Sequence, residues 1–514
     1  MLKFQSEGAG GTKVTDIGHH KKFYCHLNQY VPPPRQLDLY ESRNHLVDDL
    51  LKNIQTGKRC YVTSNNRKFI QGLYEAFRLA FKKLNFKLVI SGVGDDVEKR
   101  AFLKNVTTEI LKYDAVFSSP TMGTGIDITF PNQETKIDCV YGFFFSKINT
   151  HFDIDQQLGR VRQPGSVKVW VCPARTKFPT DRHTILQELL HGKKQIKGLT
   201  YFLDRDGAHA AAGDHPFCDL LTEVWMVKRN SMNDFRRNFI RHKNNNGWNV
   251  VEIATLGTSK KDGASIAKAG RFLRKKIMIA RILNARDISS DEANLIIGKK
   301  GQPKPRTDIE NACLERFFLK KFYNQEITED LIEFDEEGKM REKIRRLALL
   351  TDPTFELQKY EDIPHDLRLM KSSKGKFASI KSINEAVFLR EAFGLIGNYD
   401  SVRSCLNSDV TYGSANLGPF IAFMDNNRER FAQVFNKEVN RRLFDRPTSQ
   451  IRSLLKLVAL YQEQVKFNKG GNRGGATFRI ESGRLKEIME IVAMRAKIVG
   501  KAQMEEADLL DEDG

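Results

Sequence analysis

Between residues 58 and 173 short apolar runs alternate with stretches of helical periodicity, and that alternation limits the folds open to the chain. The runs are Cys60 to Thr63, Phe86 to Ile90, Ala115 to Phe117, Cys139 to Phe145 and Val167 to Val171. Most are unbroken, which marks strands buried on both faces of a parallel sheet. After the first run, Ser64-Asn65 offers a helix N-cap, and Phe69, Ile70, Leu73, Phe77 and Phe81 recur at helical spacing. Short helices are expected around 95–105 and 153–162. Strands alternating with helices predict a doubly wound α/β domain.

The remaining chain divides by composition. Residues 1–44 read as a leading segment, partly disordered, with Gly8 to Gly11 and Pro32-Pro33-Pro34 breaking regular structure. The α/β lobe is expected over 45–175 and a mixed α/β connector over 176–258, where a basic helix (Asn233 to His242) precedes a strand-like Trp248 to Ile253. A helical region follows over 259–400, with candidates at 264–285, 289–298, 306–323, 326–334 and 383–396. A basic helical region spans 401–500, with candidates at 415–440, 449–467 and 482–500 around a flexible loop, Asn468 to Gly475. Residues 501–514 are expected to be a disordered acidic tail.

Hydrophobic residues make up 40% and charged residues 29%, proportions of a folded protein. The 83 Lys+Arg against 64 Asp+Glu give a formal charge of +19, a field that favours a polyanion such as DNA. The seven cysteines are scattered, with no Cys-x-x-Cys pair, so no metal is expected and a reducing compartment is the default. No stretch approaches the roughly 20 apolar residues of a membrane span. No membrane association is expected, and the location is expected to be cytoplasmic, bacterial or within a host cell.

Three segments of the lobe carry candidate chemistry. Tyr61 to Asn65 ends a strand in hydrogen-bonding residues at a helix start, a corner that suits a phosphate or serves capping alone. Ser118-Ser119-Pro120-Thr121-Met122-Gly123-Thr124-Gly125-Ile126-Asp127-Ile128 follows another strand, with glycines that permit close backbone approach. Open α/β sheets bind ligands beyond the carboxyl ends of their strands. In the third, Asp153 to Pro164, Gln156, Gly159, Arg160 and Arg162 lie on and just after a short helix, and such arginines can reach a polyphosphate bidentately.

In this order and spelling, Thr63-Ser64-Asn65, Thr121-x-Gly-Thr-Gly-x-Asp127 and Gln156-x-x-Gly-Arg-x-Arg162 resemble motifs IV, V and VI of superfamily 2 helicases. The spelling is most similar to that of herpesvirus origin-binding proteins and related plasmid, phage and large-virus replication proteins. The resemblance implies the second RecA-like lobe of a motor that holds ATP with Mg2+ between two lobes. It implies Arg160 and Arg162 as residues that stabilise charge on the transferred phosphoryl group, with Gln156 positioning nucleotide or water. Gly125, Asp127 and Gly159 would meet the nucleotide. Thr63, Ser64, Ser119, Thr121 and Thr124 would hold the nucleic-acid backbone. Many such families write Gly-Arg-x-x-Arg, whereas Gln163 stands where that second Arg would fall.

Basic segments add Arg236, Arg237, Lys469 and Arg473 as nucleic-acid contacts, with solvated helix faces as the alternative. Such a motor also needs a phosphate loop of the Gly-x-x-x-x-Gly-Lys-Ser/Thr type and an acidic box ahead of motif IV, and this sequence spells neither. Gly8 to Lys13 reads as a flexible tail, and Asp291-Glu292 as a helix start. The expected function is therefore the C-terminal part of an ATP-dependent DNA helicase of replication initiation, inactive alone. Its first lobe would be supplied in cis or in trans. The alternative is a non-catalytic nucleic-acid-binding replication protein that retains the lobe.

Overall fold

The computed structural model describes residues 35–90, 96–120, 126–191, 216–255, 260–298, 306–352, 369–371, 377–435, 437–466 and 476–511. Ahead of these it describes three short antiparallel strands, Phe4–Glu7, Gly11–Val14 and Phe23–His26, within the expected leading segment.

The lobe alternates β1 (Arg35–Tyr40), α1 (Arg43–Gln55), β2 (Cys60–Ser64), α2 (Arg67–Ala80), β3 (Phe86–Val89), α3 (Asp96–Lys104), β4 (Ala115–Ser118), β5 (Cys139–Phe144), α4 (His151–Leu158) and β6 (Ser166–Val171). It closes with α5 (Pro216–Asn233), α6 (Phe235–Asn245) and β7 (Trp248–Ile253). Seven strands form one sheet in the order β7-β1-β6-β5-β2-β4-β3, and every pairing is parallel. This is a RecA-like α/β architecture. Every residue of β2, β4 and β5 is buried, as their unbroken apolar sequences require.

Two of the seven strands, β1 and β7, lie outside the 45–175 span expected for the lobe. Both sit at one side of the sheet; the half-polar pattern of β1 hides it from a search for unbroken apolar runs, while β7 is the strand expected at Trp248 to Ile253, here joined to the lobe and not to a separate connector. Leu37 and Leu39 alternate with polar residues in β1, and the β7 residues are only partly buried or exposed.

Two hydrophobic layers cover the sheet. One unites Leu37, Val140, Val169, Ile154, Phe235 and Phe239, and the other unites Leu46, Val62, Leu73, Phe77, Phe117 and Tyr141. Within the second, Asp49 accepts bonds from the hydroxyls of Tyr40 (2.9 Å) and Tyr141 (2.6 Å) and from Lys168 Nζ (2.8 Å). Burial raises the Asp49 pKa, but these donors outweigh it and hold the carboxyl below its usual range.

A long helix, α7 (Lys261–Leu283), joins lobe and helical region. Its Ile266 packs in the α1/α2 layer, while Ile279 and Ile282 belong to the larger core of the C-terminal region. That core also takes Leu319 and Phe322 from α8 (Asp308–Tyr323) and Ile344 and Leu347 from α9 (Lys339–Leu350). α9 falls outside the expected helices. The expected helix over 415–440 is broken into Gly418–Asn426 and Arg428–Phe435. The stretch expected to continue a helix to 467 instead forms strand Gln462–Lys466, paired antiparallel with Thr477–Ile480. The strand is the edge of its three-stranded sheet, where the mostly polar Gln-Glu-Gln-Val-Lys can leave Gln464 and Val465 exposed. The expected disordered tail is helical through Asp511, since Glu, Ala, Met and Leu all favour helix.

Candidate functional site

The site region is the edge where the parallel strands end. At β2, Ser64 is fully buried, and its Oγ donates to the Phe143 carbonyl at 2.6 Å. Asn65 clamps β2 to the end of β5: its Nδ2 donates to the Phe145 carbonyl and its Oδ1 accepts from Phe145 N, both at 2.8 Å. Asn66, one residue on, is the N-cap of α2 and accepts from Phe69 N at 3.0 Å. The hydroxyls of this corner are thus engaged within the protein. Thr63 is 1% exposed, and its Oγ1 lies 3.5 Å from Gln157 Oε1.

That contact involves Gln157, whereas sequence reasoning singled out its neighbour. Gln156 is exposed and Gln157 is 6% exposed. The signal was present: α4 turns His151, Ile154 and Leu158 inward, and 157 falls on that same face. Ser119 is also buried, with its N–H donating to Val89 O at 3.0 Å. Thr121, Thr124 and Gly125 lie outside the described residues, as do Lys469 and Arg473.

The second and third motifs meet. Ile128 and Val161 form an isolated parallel bridge, with Ile128 N donating to Arg160 O (2.9 Å) and Arg162 N to Ile128 O (3.2 Å). This stitch sets Asp127 beside Arg162, whose Nε donates to Asp127 Oδ1 at 3.0 Å. The Arg162 bond holds the Asp127 carboxyl below its usual pKa. Both side chains remain more than half exposed, at 55% and 51%. Arg160 is half-buried, and one terminal nitrogen donates to the Ile126 carbonyl at 2.9 Å. Its Nε is buried and finds no hydrogen-bond partner among the described residues. Gly159 ends α4, and a Cβ there would meet only ordinary contacts, 3.4 Å at the nearest, so packing does not demand glycine.

Behind α4, the basic helix α6 brings further charged residues against Asp155 and His151. Lys243 is 3% exposed: its Nζ pairs with Asp155 and lies 4.1 Å from the Trp248 ring centroid. Desolvation pulls its pKa down, opposed by Asp155. His242 Nε2 is 3.2 Å from the same carboxylate. His151 Nδ1 is 2.6 Å from Ser231 Oγ, and burial, then His242 and Arg241, lowers the imidazole to about 4. Arg236 reaches back to the Tyr40 carbonyl (3.3 Å) with its side chain 16% exposed, while Arg237 is 79% exposed. Of the two, only Arg237 offers a free face to solvent.

Among the described residues no group of three or more His, Cys, Asp or Glu could hold a metal, and no helix is long and apolar enough to cross a membrane. The fold and this edge define a RecA-like lobe with a helical C-terminal region. No protein-family model matches the chain, and no curated protein matches it. Among solved structures, the ATP-dependent Type ISP restriction-modification enzyme LlaBIII bound to DNA aligns at 12% identity with a TM-score of 0.20. The alignment covers 79% of this chain and 27% of that one, so the chain spans about a quarter of that enzyme's length. A likeness this loose adds no functional argument.

Proposed function

We propose that this chain is the C-terminal part of an ATP-dependent DNA helicase of replication initiation, of the origin-binding type. The observation that carries the reading is the Ile128–Val161 bridge, which sets Asp127 against Arg162 and lies beside Arg160, itself bonded to the Ile126 carbonyl. The nucleotide implied is ATP with Mg2+, shared with a first lobe in cis or in trans, and ATP would supply the phosphoryl group transferred to water. The donor chemistry fits an anion, because the buried Arg160 Nε lacks a partner among the described residues. Arg160 would stabilise negative charge, Arg162 would be oriented by Asp127, and the non-obligatory Gly159 leaves room for close approach. Gln157 holds α4 against Thr63 and so couples the arginine segment to β2. A second reading, a non-catalytic DNA-binding replication protein, is supported by the +19 charge and the exposed Arg237.

Two measurements test these readings. Fluorescence anisotropy with labelled single-stranded and duplex DNA is expected to show binding that weakens by orders of magnitude between about 50 and 200 mM salt. Failure to bind at the lower salt would remove both readings. Photo-crosslinking of azido-ATP is expected to fall several-fold in Arg160→Ala. Equal labelling of both proteins would leave only the binding module. Robust ATP turnover by this chain alone would overturn the shared-site reading.

A further inference from the structure

A cavity of about 230 Å3 lies where the start of α1, the start of α2, the end of β5 and the middle of α7 converge. Arg43, Lys68, Arg271 and Arg274 line it, with Asn66 and Phe145 among its other walls. We propose that it is a binding pocket for a single phosphate group, separate from the Arg160 edge and independent of the ATP reading.

The charges in the pocket do not balance. Lys68 and Arg274 share one carboxylate, Glu337. Arg43 and Arg271 have no carboxylate partner among the described residues, and Arg271 lowers the preference of Arg43 for the charged form. Arg43 is held over three rings, 5.4 Å from the centroid of Phe69 and 5.8 Å from those of Phe145 and Trp170. Its Nε is buried without a hydrogen-bond partner among the described residues. Desolvation, and then Arg271, disfavour its charge, a cost that a bound anion would relieve. The backbone adds to this. Neither α1 nor α2 has an acidic residue in its first turn, and Ser42 gives α1 no side-chain cap. Three arginines line the cavity, and a planar guanidinium fork suits an oxygen-rich anion such as phosphate.

Size narrows the ligand. At about 30 Å3 per water the cavity holds several waters or one tetrahedral oxyanion. It falls below the roughly 300–1,000 Å3 of pockets that enclose drug-sized ligands. A phosphate would enter, and whatever carries it would remain outside. The carrier is a nucleic-acid backbone or a free phosphate compound, and the chemistry at the pocket is the same.

The test uses the whole chain and inorganic phosphate. Calorimetric titration at fixed ionic strength is expected to show phosphate binding that chloride does not reproduce. Arg271→Ala, on an exposed side chain, should weaken binding by tenfold or more. Arg43→Lys should weaken it less, since it keeps charge but loses the fork. Arg403→Ala, an exposed arginine paired with Asp400 elsewhere, is the control. If Arg271→Ala also weakens oligonucleotide binding and lowers the salt slope by about one, the carrier is nucleic acid. If oligonucleotide binding is unchanged while phosphate binding falls, the carrier is a free phosphate compound. No phosphate binding, or binding indifferent to both Arg43→Lys and Arg271→Ala, overturns the proposal. Because Arg160 takes no part, azido-ATP labelling can fail or succeed without affecting this result.

Discussion

Replacing Gly270 by Ala tests how α7 is seated on the lobe. A Cβ at Gly270 would lie 2.3 Å from the Gly72 carbonyl oxygen of α2, and one at Gly263 would lie 1.9 Å from the Asn44 oxygen of α1. Both neighbours are backbone, so no rotamer change makes room. Restoring an ordinary 3.4 Å contact at 270 needs a displacement of about 1.1 Å, and at 263 about 1.5 Å. Separations of roughly 0.5–1 Å already forfeit a quarter to a half of each dispersion contact along the interface. Overpacking of this kind costs about 1–3 kcal/mol. Alanine returns about 0.5–1 kcal/mol of helix propensity. The net expectation is a loss of about 1–2 kcal/mol for Gly270→Ala, and more for Gly263→Ala. Gly483→Ala is the internal control, since a Cβ there meets nothing within 4 Å and should be neutral or slightly stabilising.

Thermal unfolding followed by circular dichroism reads the difference, at about 2–4 °C per kcal/mol for a body of roughly this lobe's size. The double variant Gly263→Ala with Gly270→Ala should cost less than the two singles together, because one displacement of α7 relieves both clashes. If Gly270→Ala is as stable as the parent, or shifts the midpoint no differently from Gly483→Ala, α7 does not lie against α2 in this way.

Three further outcomes are expected. His151, lowered to about 4, stays neutral in the fold while the unfolded chain takes up a proton. Stability should therefore fall as pH drops from about 6.5 towards 4, by up to roughly 3 kcal/mol, and His151→Gln should flatten the melting temperature across that window. Lys243→Met should cost about 2–4 kcal/mol by urea denaturation at pH 7, because it removes the buried cation opposite Asp155. Arg162→Ala should change stability by less than about 1 kcal/mol in the same assay, since its pair with Asp127 is more than half exposed. A large loss there would show a structural role for the pair.

The central strands were legible because burial on both faces writes itself as an unbroken apolar run, as in Cys60 to Ser64 and Cys139 to Phe144. Of the peripheral strands, β1 was missed because it is half covered and reads as mixed polar sequence, while Trp248 to Ile253 was legible as a strand but not as part of this sheet. Basic residues were misread for a related reason. The sequence lists Arg236, Arg237 and Lys243 as one charged run, but a helix separates their directions. Residues 235, 239 and 243 lie at successive i+4 steps on the face turned to the sheet, so Lys243 follows Phe235 and Phe239 into the interior. There Asp155 and the Trp248 ring stand in for the water its ammonium has lost. The phosphate cavity was beyond reach for a different reason. Its cations come from residues 43, 68, 271 and 274, and what joins them is the approach of α7 to α2 at Gly72 and Gly270. A glycine pair more than a hundred residues apart carries no local signature, yet it sets how close two arginines come to a third. Seating α7 further out through Gly270→Ala should therefore weaken phosphate binding as well as stability, although no ligand-facing side chain has changed. Unchanged phosphate affinity in that variant would mean that the pocket does not depend on the helix contact.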